Sequence, residues 1–331
     1  MFLRNLFKVI FGIIGGVILL GVLLVVGGNI GKFAIYNEYY NMESNVCVNP
    51  GLGDGFVCQG VAASEANGKI LVCGYMDDKS NSRIYLVDLN LGSYYYVNLT
   101  KNGGELYNGH AGGIATTGDY VFIANASKLY VLSLSSLLSA NEGDYVDIGS
   151  GIPVNNAASY VYCDETNIYV GEFHHTEDGY FKEHALDSGK GSVNAIVSQY
   201  SLRSIRNYID GVGRDNFDPD RIYAVRDRVQ GICFTPDGQI VLSTSYGRFN
   251  SSYFYVYNQA DCDDSGDTLD GVPVYTLGEY TNKIKAPTMS EDLDWYDGKV
   301  ITVYESAANK YFFGKLFFAD DVNALDINKA K

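Results

Sequence analysis

The sequence predicts an all-β fold, a single β-propeller of five blades preceded by one membrane-spanning helix. Three observations support this prediction. Short runs of alternating apolar and polar residues, separated by Gly, Asn and Asp turns, fill most of the chain. One pattern of such runs recurs five times within residues 57–331, the predicted propeller domain. The helix is predicted by an apolar stretch near the start of the chain that carries no charged residue.

The apolar stretch covers residues 9–31. At about 1.5 Å per helical residue it is long enough to cross a hydrocarbon core of roughly 30 Å. Arg4 and Lys8 precede it and acidic residues soon follow Lys32, so the positive-inside rule predicts that residues 1–8 are cytoplasmic and the domain extracytoplasmic. A cleaved secretory signal is the alternative, although the stretch is longer than a signal core and lacks an A-x-A exit. The predicted location is therefore the cell membrane, with a single span.

The composition argues against a nucleic-acid partner. The formal net charge is −15, from 39 acidic and 24 basic residues, whereas phosphate backbones require a basic surface. Hydrophobic residues make up 47% of the chain, which is enough for a sizeable core. The 28 tyrosines and 37 glycines, with only 6 prolines, are typical of many strands joined by tight turns.

The repeated pattern consists of a polar residue, a strand of small residues, a turn, a hydrophobic strand with a polar or aromatic end, and a third strand. The fourth copy is the clearest, with residues 230–234, 240–246 and 253–257. Repeats of roughly 45 to 70 residues made of short strands predict propeller blades. The other copies begin at Gln59, His110, Asn156 and Glu291.

Two copies depart from this pattern. The third contains an insertion, residues 180–228, for which we expect a helix or a lid. The fifth, with its third strand expected at residues 311–318, ends before a fourth strand. Because a propeller must close its ring, the lead-in of residues 32–56 is a candidate for the missing strand, through residues 34–48; a flexible stalk is the alternative.

The fourth copy carries a family resemblance. Its V-Q-G-I-C-F-T-P-D-G stretch at residues 229–238 and S-T-S-Y-G at residues 243–247 resemble blades of NHL-like and SMP-30-like propellers, and also blades of plant-type glutaminyl cyclotransferases. The resemblance covers this blade and part of residues 59–88, and it implies a propeller fold. The acidic and tryptophan-containing segments of the cyclotransferases have no copy in this chain, so the resemblance does not extend to their activity.

A propeller also predicts where a binding site lies. The innermost strands line a central channel, so polar residues at equivalent positions converge, and the ends of the second strands surround the same mouth. A funnel with a few converging polar groups is a binding-site hypothesis; alternatively, these groups only satisfy one another between blades. The predicted funnel residues are Gln59, Tyr75, His110, Asn125, Asn156, Glu172, His174, Gln230, Tyr246, Arg248, Glu291 and Glu305.

A binding protein with an unidentified ligand or protein partner is the leading hypothesis. A hydrolase is the alternative, because two facing carboxyl groups are what glycoside hydrolysis requires. A purely structural envelope component is the third class. The candidate catalytic residues are Glu172, Glu291, Glu305 and His110.

No cofactor is firmly implied, although calcium is a candidate. Asp261, Asp263 and Ser265 alternate as in the first half of a calcium loop, and Gly266 stands at the turn. Val272 occupies the position of the bidentate glutamate, so an acidic hairpin tip is the alternative.

Three of the four histidines, His174, His175 and His184, lie close together in the sequence among acidic residues. Imidazole and carboxylate groups bind zinc, but the spacing matches no H-E-x-x-H motif, so we expect a solvated loop. The acidic neighbours are Glu172, Glu177, Asp178 and Glu183.

Six cysteines permit disulfides in an oxidising compartment. Cys47 and Cys58 bracket a Pro-Gly turn and are the candidate bridge. Cys73 and Cys233 stand inside apolar strands, where we expect buried thiols.

Overall fold

The computed structural model describes residues 2–176, 184–188, 191–212, 217–311 and 313–329. These residues form five blades of four core strands each, preceded by an apolar helix, so the predicted fold class is confirmed. Within each blade the core strands are antiparallel, and the innermost strands contact one another in sequence around a closed ring.

The strands follow the chain around the ring, with one exception in the fifth blade. Blade 1 contains β2 Phe56–Ser64, β3 Lys69–Met76, β4 Arg83–Asp88 and β5 Tyr94–Lys101, with β6 Glu105–Leu106 and β10 Tyr145–Asp147 at its edge. Blade 2 contains β7 Gly113–Thr116, β8 Tyr120–Asn125, β9 Lys128–Ser133 and β11 Ile152–Pro153, with helix α3 Leu134–Ser139. Blade 3 contains β12 Tyr160–Cys163, β13 Asn167–Gly171, β16 Ala195–Ser201 and β17 Arg221–Val225. Blade 4 contains β18 Val229–Phe234, β19 Gln239–Thr244, β20 Ser252–Asn258 and β23 Tyr280–Ala286. Blade 5 contains β24 Ser290–Tyr296, β25 Lys299–Tyr304, β26 Asp321–Leu325 and β1 Glu43–Val48.

The exception is β1, which comes from the N-terminal side of the ring. It pairs antiparallel with β26, from Glu43 opposite Leu325 to Val48 opposite Asp321. A strand of the lead-in is thus the outermost strand of the last blade, and it joins the two ends of the propeller domain.

The third strand of blade 5 is β26, so the expectation of a strand at residues 311–318 is wrong. That segment is a loop with a short 3-10 helix, Phe313–Leu316. The segment is rich in aromatic residues, as a strand would be, but these residues pack on the start of the chain. The Phe317 ring lies 6.3 Å from that of Tyr36, and Lys32 lies over the Phe318 ring.

The insertion in blade 3 contains the blade's own third and fourth strands, β16 and β17. Between them lies helix α4, Leu202–Ile209. A small hairpin, β14 Leu186–Asp187 and β15 Ser192–Val193, precedes them, and the hairpin β21 Asp263–Leu269 with β22 Val272–Thr276 extends the blade outward through pairing with β17. Glu177, Asp178 and Glu183 lie outside the described residues.

Helix α1, Phe2–Ile35, contains the one segment among the described residues that is long and apolar enough to span a membrane, Phe7–Ile35. Only its last turns contact the propeller. The Asn29 amide donates to the Lys315 carbonyl (2.8 Å), and the Lys32 ammonium donates to the Phe318 carbonyl (2.7 Å). Helix α2, Asn37–Met42, follows directly and buries Tyr39 and Met42 in the propeller core.

Glycines let the innermost strands touch near the mouth of the channel. A Cβ atom on Gly60 would lie 2.7 Å from the Ile114 nitrogen, and one on Gly231 would lie 2.7 Å from the Asp292 Cα. Such distances are too short for any side chain, so the polar residues beside these glycines sit where the ring is tightest.

All six cysteines fall within the described residues and are free thiols. The expected bridge is not formed, because Cys47 lies on the outermost strand of blade 5 and Cys58 on the innermost strand of blade 1. Cys58 Sγ donates instead to the Tyr304 carbonyl (3.3 Å) and accepts from the Asn49 amide (3.1 Å). Burial raises the pKa of the Cys47 thiol to about 12. Cys73 and Cys233 are fully buried, as expected.

Candidate functional site

A cavity of about 450 Å³, hereafter the funnel, opens at one end of the ring, where the innermost strands begin and the second strands end. All five blades contribute to its wall. Seven predicted residues line it: Gln59, Tyr75, His110, Asn125, Gln230, Tyr246 and Glu305. Residues that the sequence did not single out also line it, among them Ser159, Phe173, Ser245, Met289 and Tyr311.

Bulges in the innermost strands aim the polar residues. The pairing of β2 with β3 skips Gln59, that of β18 with β19 skips Gln230, and that of β24 with β25 skips Glu291 and Asp292. A bulge breaks the alternation of a strand and re-aims its side chain. A bulge at the start of the innermost strand in three blades therefore explains why polar side chains occur there, in strands whose other residues are mostly buried.

The backbone is also strained just before four of the five innermost strands. Ala111, Ala158, Arg228 and Met289 have φ values of 49°, 49°, 69° and 63°. Such angles are uncommon for residues other than glycine and cost roughly 1 to 3 kcal/mol each. Their recurrence at the same place shows that the funnel wall is held in shape by the ring as a whole.

A pair of carboxyl groups lies at the wall of the funnel. Glu305 faces the cavity, and Glu291 lies buried beneath it within hydrogen-bonding distance of its carboxyl group. Burial raises the pKa of Glu305 to about 7, and burial together with the charge of Glu305 raises that of Glu291 well above its ordinary value. At least one of the two carboxyl groups therefore keeps its proton near neutral pH.

Neutral and cationic groups surround this pair. Gln59 Nε2 donates to Glu305 Oε2 (3.0 Å), and the hydroxyl groups of Tyr75 and Tyr311 lie 3.0 Å apart. Lys310 Nζ donates to the Tyr75 hydroxyl (2.6 Å). The His110 ring packs edge-on against Tyr75, and burial, aided by the charge of Lys310, lowers the pKa of His110.

Three predicted funnel residues lie outside the cavity wall, in the packing of blade 3. The Asn156 amide is fully buried and donates to the Val170 carbonyl (2.7 Å). Because the left-handed turn at Ala158 follows it, Ser159 reaches the funnel where Asn156 was expected. The other two residues have polar partners: Glu172 lies 2.9 Å from His184, and His174 lies 2.9 Å from Asp227.

Arg248 lies at the rim rather than in the funnel. Its side chain is exposed, and its guanidinium group lies 5.0 Å from the centre of the Tyr311 ring.

The three clustered histidines are buried, contrary to the expected solvated loop, because each has a polar partner. His175 stacks on Tyr246, with ring centres 3.7 Å apart, and lies 2.9 Å from the guanidinium of Arg228. Across the described ranges, no group of three or more His, Cys, Asp or Glu residues is arranged to hold a metal ion.

The candidate calcium residues lie in the outer hairpin of blade 3. Asp261 ends a 3-10 turn, whereas Asp263 and Ser265 belong to the paired strand β21. The Ser265 hydroxyl donates to the Val274 carbonyl (2.8 Å). Calcium binding at this hairpin stays a prediction.

A second cavity, of about 580 Å³, adjoins the funnel between blades 3 and 4. It shares Ser245 and Tyr246 with the funnel wall. Arg226 stacks on Tyr255 in this cleft, with its guanidinium carbon 3.4 Å from the ring centre.

The strand order and this site define the class: a five-bladed β-propeller with a polar funnel at one end of its ring. No protein-family model matches the sequence, and no curated protein matches it.

Solved structures provide only distant likenesses. The chain is similar to Kuenenia stuttgartiensis hydrazine synthase (TM-score 0.37, 10% identity), covering 75% of this chain but only 55% of that one. It is similar to the PQQ-bound aldose sugar dehydrogenase of Streptomyces coelicolor (0.37, 16%; 79% and 76% covered) and to BamB of Moraxella catarrhalis (0.32, 11%; 81% and 84% covered). The last two are β-propeller proteins. Likenesses at this level indicate neither a function nor the particular family that the sequence resembles.

Proposed function

We propose that the protein is a membrane-anchored β-propeller whose extracytoplasmic domain binds a small polar ligand in the funnel. The observation that carries this proposal is the convergence of polar side chains from different blades around the Glu291–Glu305 pair. The cavity volume of about 450 Å³ is in the range of small-molecule sites. An anchor of one apolar helix is compatible with Phe7–Ile35.

The funnel favours a ligand rich in hydrogen-bond donors. At its wall lies the carboxyl pair, which accepts hydrogen bonds, and bonds to charged acceptors are worth about 1.5 to 3 kcal/mol. Aromatic rings of Tyr75, Tyr246 and Tyr311 offer flat apolar surfaces beside it. Hydroxylated or amine-bearing molecules such as sugars and small amines fit this combination, whereas the negative charge of the pair disfavours anions.

A hydrolase remains the alternative, and one observation favours it. A carboxyl group whose pKa is about 7, as in Glu305, is suited to general acid–base catalysis at neutral pH. The burial of Glu291 does not match glycoside hydrolysis, in which two carboxyl groups face the substrate, because only Glu305 lines the funnel.

A thermal-shift screen of the full chain in nanodiscs tests ligand binding, because a ligand that binds only the folded state at 100 times its Kd stabilises it by about 2.7 kcal/mol. The panel contains sugars, amines and amino acids. We expect a stabilising compound whose effect is lost in Glu305→Gln and kept in Glu142→Gln, a matched change on an exposed loop. A shift that persists in Glu305→Gln would place the ligand elsewhere, and turnover of the compound by the wild type alone would support the hydrolase.

A further inference from the structure

The funnel and the membrane anchor lie on the same side of the propeller. The mouth is formed where second strands end, so the loop from β25 to β26 lies at the mouth, and it supplies Tyr311 to the funnel wall. Helix α1 ends on this same loop, through the contacts of Asn29 with Lys315 and of Lys32 with Phe318. The anchor therefore leaves the propeller beside the opening of the funnel.

The contact is close and is made at the end of the apolar segment. A Cβ atom on Gly28 would lie 2.2 Å from the Leu316 carbonyl oxygen, so the helix backbone rests directly on the loop. The apolar segment ends at Ile35, within two helical turns of Gly28. A bilayer that surrounds this segment consequently has its surface near the loop.

The mouth carries cations and an exposed aromatic residue on the side of the anchor. We call Arg248, Phe249, Lys310 and Lys315 the basic rim. Arg248 and Phe249 lie in the loop between β19 and β20, with Phe249 59% exposed, and Lys310 and Lys315 lie in the loop on which α1 rests. This rim is basic although the chain as a whole has a charge of −15. Acidic residues also lie at this end: Asp77 and Asp78 at the mouth of blade 1, and Asp320 and Asp321 beside Lys32 in blade 5.

At the opposite end of the ring, the base, the short turns are mostly acidic, although helix α4 at this end carries Arg203 and Arg206. The turns between strands at the base carry Glu65, Asp88, Asp237 and Asp297. The base also has an exposed apolar residue, Leu91, which is 78% exposed in the turn between β4 and β5. Aromatic and cationic side chains are suited to the surface of a membrane with anionic headgroups, whereas acidic turns are not.

We propose that the propeller is held with its funnel mouth toward the bilayer, and that the basic rim rests on phosphate-bearing lipid headgroups. The proposal rests on the membrane anchor proposed above.

Tryptophan quenching by lipid tests this orientation. The chain has one tryptophan, Trp295, near the end of strand β24 at the base. In a Trp295→Phe background, Phe249→Trp and Leu91→Trp form a matched pair, since both replace exposed apolar residues at opposite ends of the ring. The full-length variants are reconstituted in nanodiscs of phosphatidylcholine brominated near the headgroup. We expect fluorescence at position 249 to fall at least twofold and fluorescence at position 91 to stay unchanged.

Each other outcome overturns a defined part of the proposal. Protein that does not co-elute with the nanodiscs overturns the anchor and the orientation together. Co-elution with equal quenching at both positions, or stronger quenching at position 91, overturns the orientation and leaves the anchor intact. Ligand binding is measured separately in the thermal-shift screen, so its failure is distinguishable from either.

A charge reversal tests the headgroup contact. Adding phosphatidylglycerol should increase quenching at position 249, and Arg248→Glu combined with Lys315→Glu should abolish the increase. Lys299→Glu at the base is the matched control and should retain it. An increase that survives in the rim variant, or no increase in the parent protein, overturns the headgroup contact.

Discussion

The acidic residues of strand β24 have two different kinds of partner, a carboxyl group and backbone nitrogens. Glu291 hydrogen-bonds another carboxyl group, that of Glu305, at the funnel. Asp292 and Asp294 accept from the backbone of other blades: the Ile114 nitrogen donates to Asp292 (3.0 Å) and the Ala63 nitrogen to Asp294 (2.7 Å). Burial raises the pKa of all four carboxyl groups. The role of each carboxyl group is therefore set by its partner rather than by its residue type, and of these four only Glu305 lines the funnel, where a ligand can reach it.

The largest effect is expected from breaking the link between blades. Asp292→Ala leaves the Ile114 nitrogen without its acceptor and opens a cavity at the centre of the ring, so we expect a loss of about 4 kcal/mol in the free energy of unfolding. Denaturant titration measures it. Asp267→Ala, at an exposed strand position, should cost less than about 0.5 kcal/mol. Equal losses in the two variants would contradict a linking role for Asp292.

The next effect concerns the backbone that holds Asp292. Because Gly231 touches the Asp292 backbone, Gly231→Ala forces the two innermost strands apart, and we expect a loss of about 3 kcal/mol. Gly118→Ala is the control, since nothing lies within 4 Å of its added Cβ. Thermal unfolding of both variants should give a clearly lower Tm for Gly231→Ala alone.

The carboxyl pair predicts a pH dependence. The folded state keeps a proton on Glu305 up to a pKa of about 7, whereas the unfolded chain releases it near 4.5. Stability should therefore fall as the pH rises from 4.5 to about 7, by about 3 kcal/mol from this group. Denaturant midpoints measured against pH should show this fall in the wild type and a smaller one in Glu305→Gln. An identical pH profile in the variant would contradict the raised pKa of Glu305.

The smallest effect on stability is expected at the mouth itself. Gln230 makes only a long hydrogen bond to Ser245 (3.5 Å) and faces the funnel. Gln230→Ala should change the free energy of unfolding by less than about 0.5 kcal/mol. It should nevertheless weaken binding of any compound found in the ligand screen, and isothermal titration would measure the change. A large loss of stability would show that Gln230 stabilises the packing of the ring, as Asp292 does.

The sequence was sufficient to predict the five blades, because alternation within short strands and small residues at each innermost strand are local signals. Gln59 and Gln230 were predicted at the funnel because each is a polar residue at the start of an innermost strand, and both line it. Glu305 was predicted because it follows the second strand of its blade.

The errors arose where a backbone irregularity changes which residue reaches the mouth. Asn156 was expected in the funnel, but the left-handed residue Ala158 lies between it and the strand, and Ser159 lines the cavity. Tyr311 was missed because its aromatic segment reads as a strand, and only its contacts with the N-terminal helix reveal a loop. The pairing of Glu291 with Glu305 depends on a bulge, which strand alternation does not predict.

Joining the ring through β1 and β26 has a consequence for how the chain folds. The first strand of the propeller to be synthesised finds its partner only among the last, since Glu43 pairs with Leu325. Pairing over such a sequence distance is slow because loop-closure entropy is lost before the contact forms. During synthesis β1 therefore stays unpaired until nearly the whole chain has been made. In a nascent chain that stops before Asp321, β1 has no partner strand and is open to pairing with a neighbouring molecule.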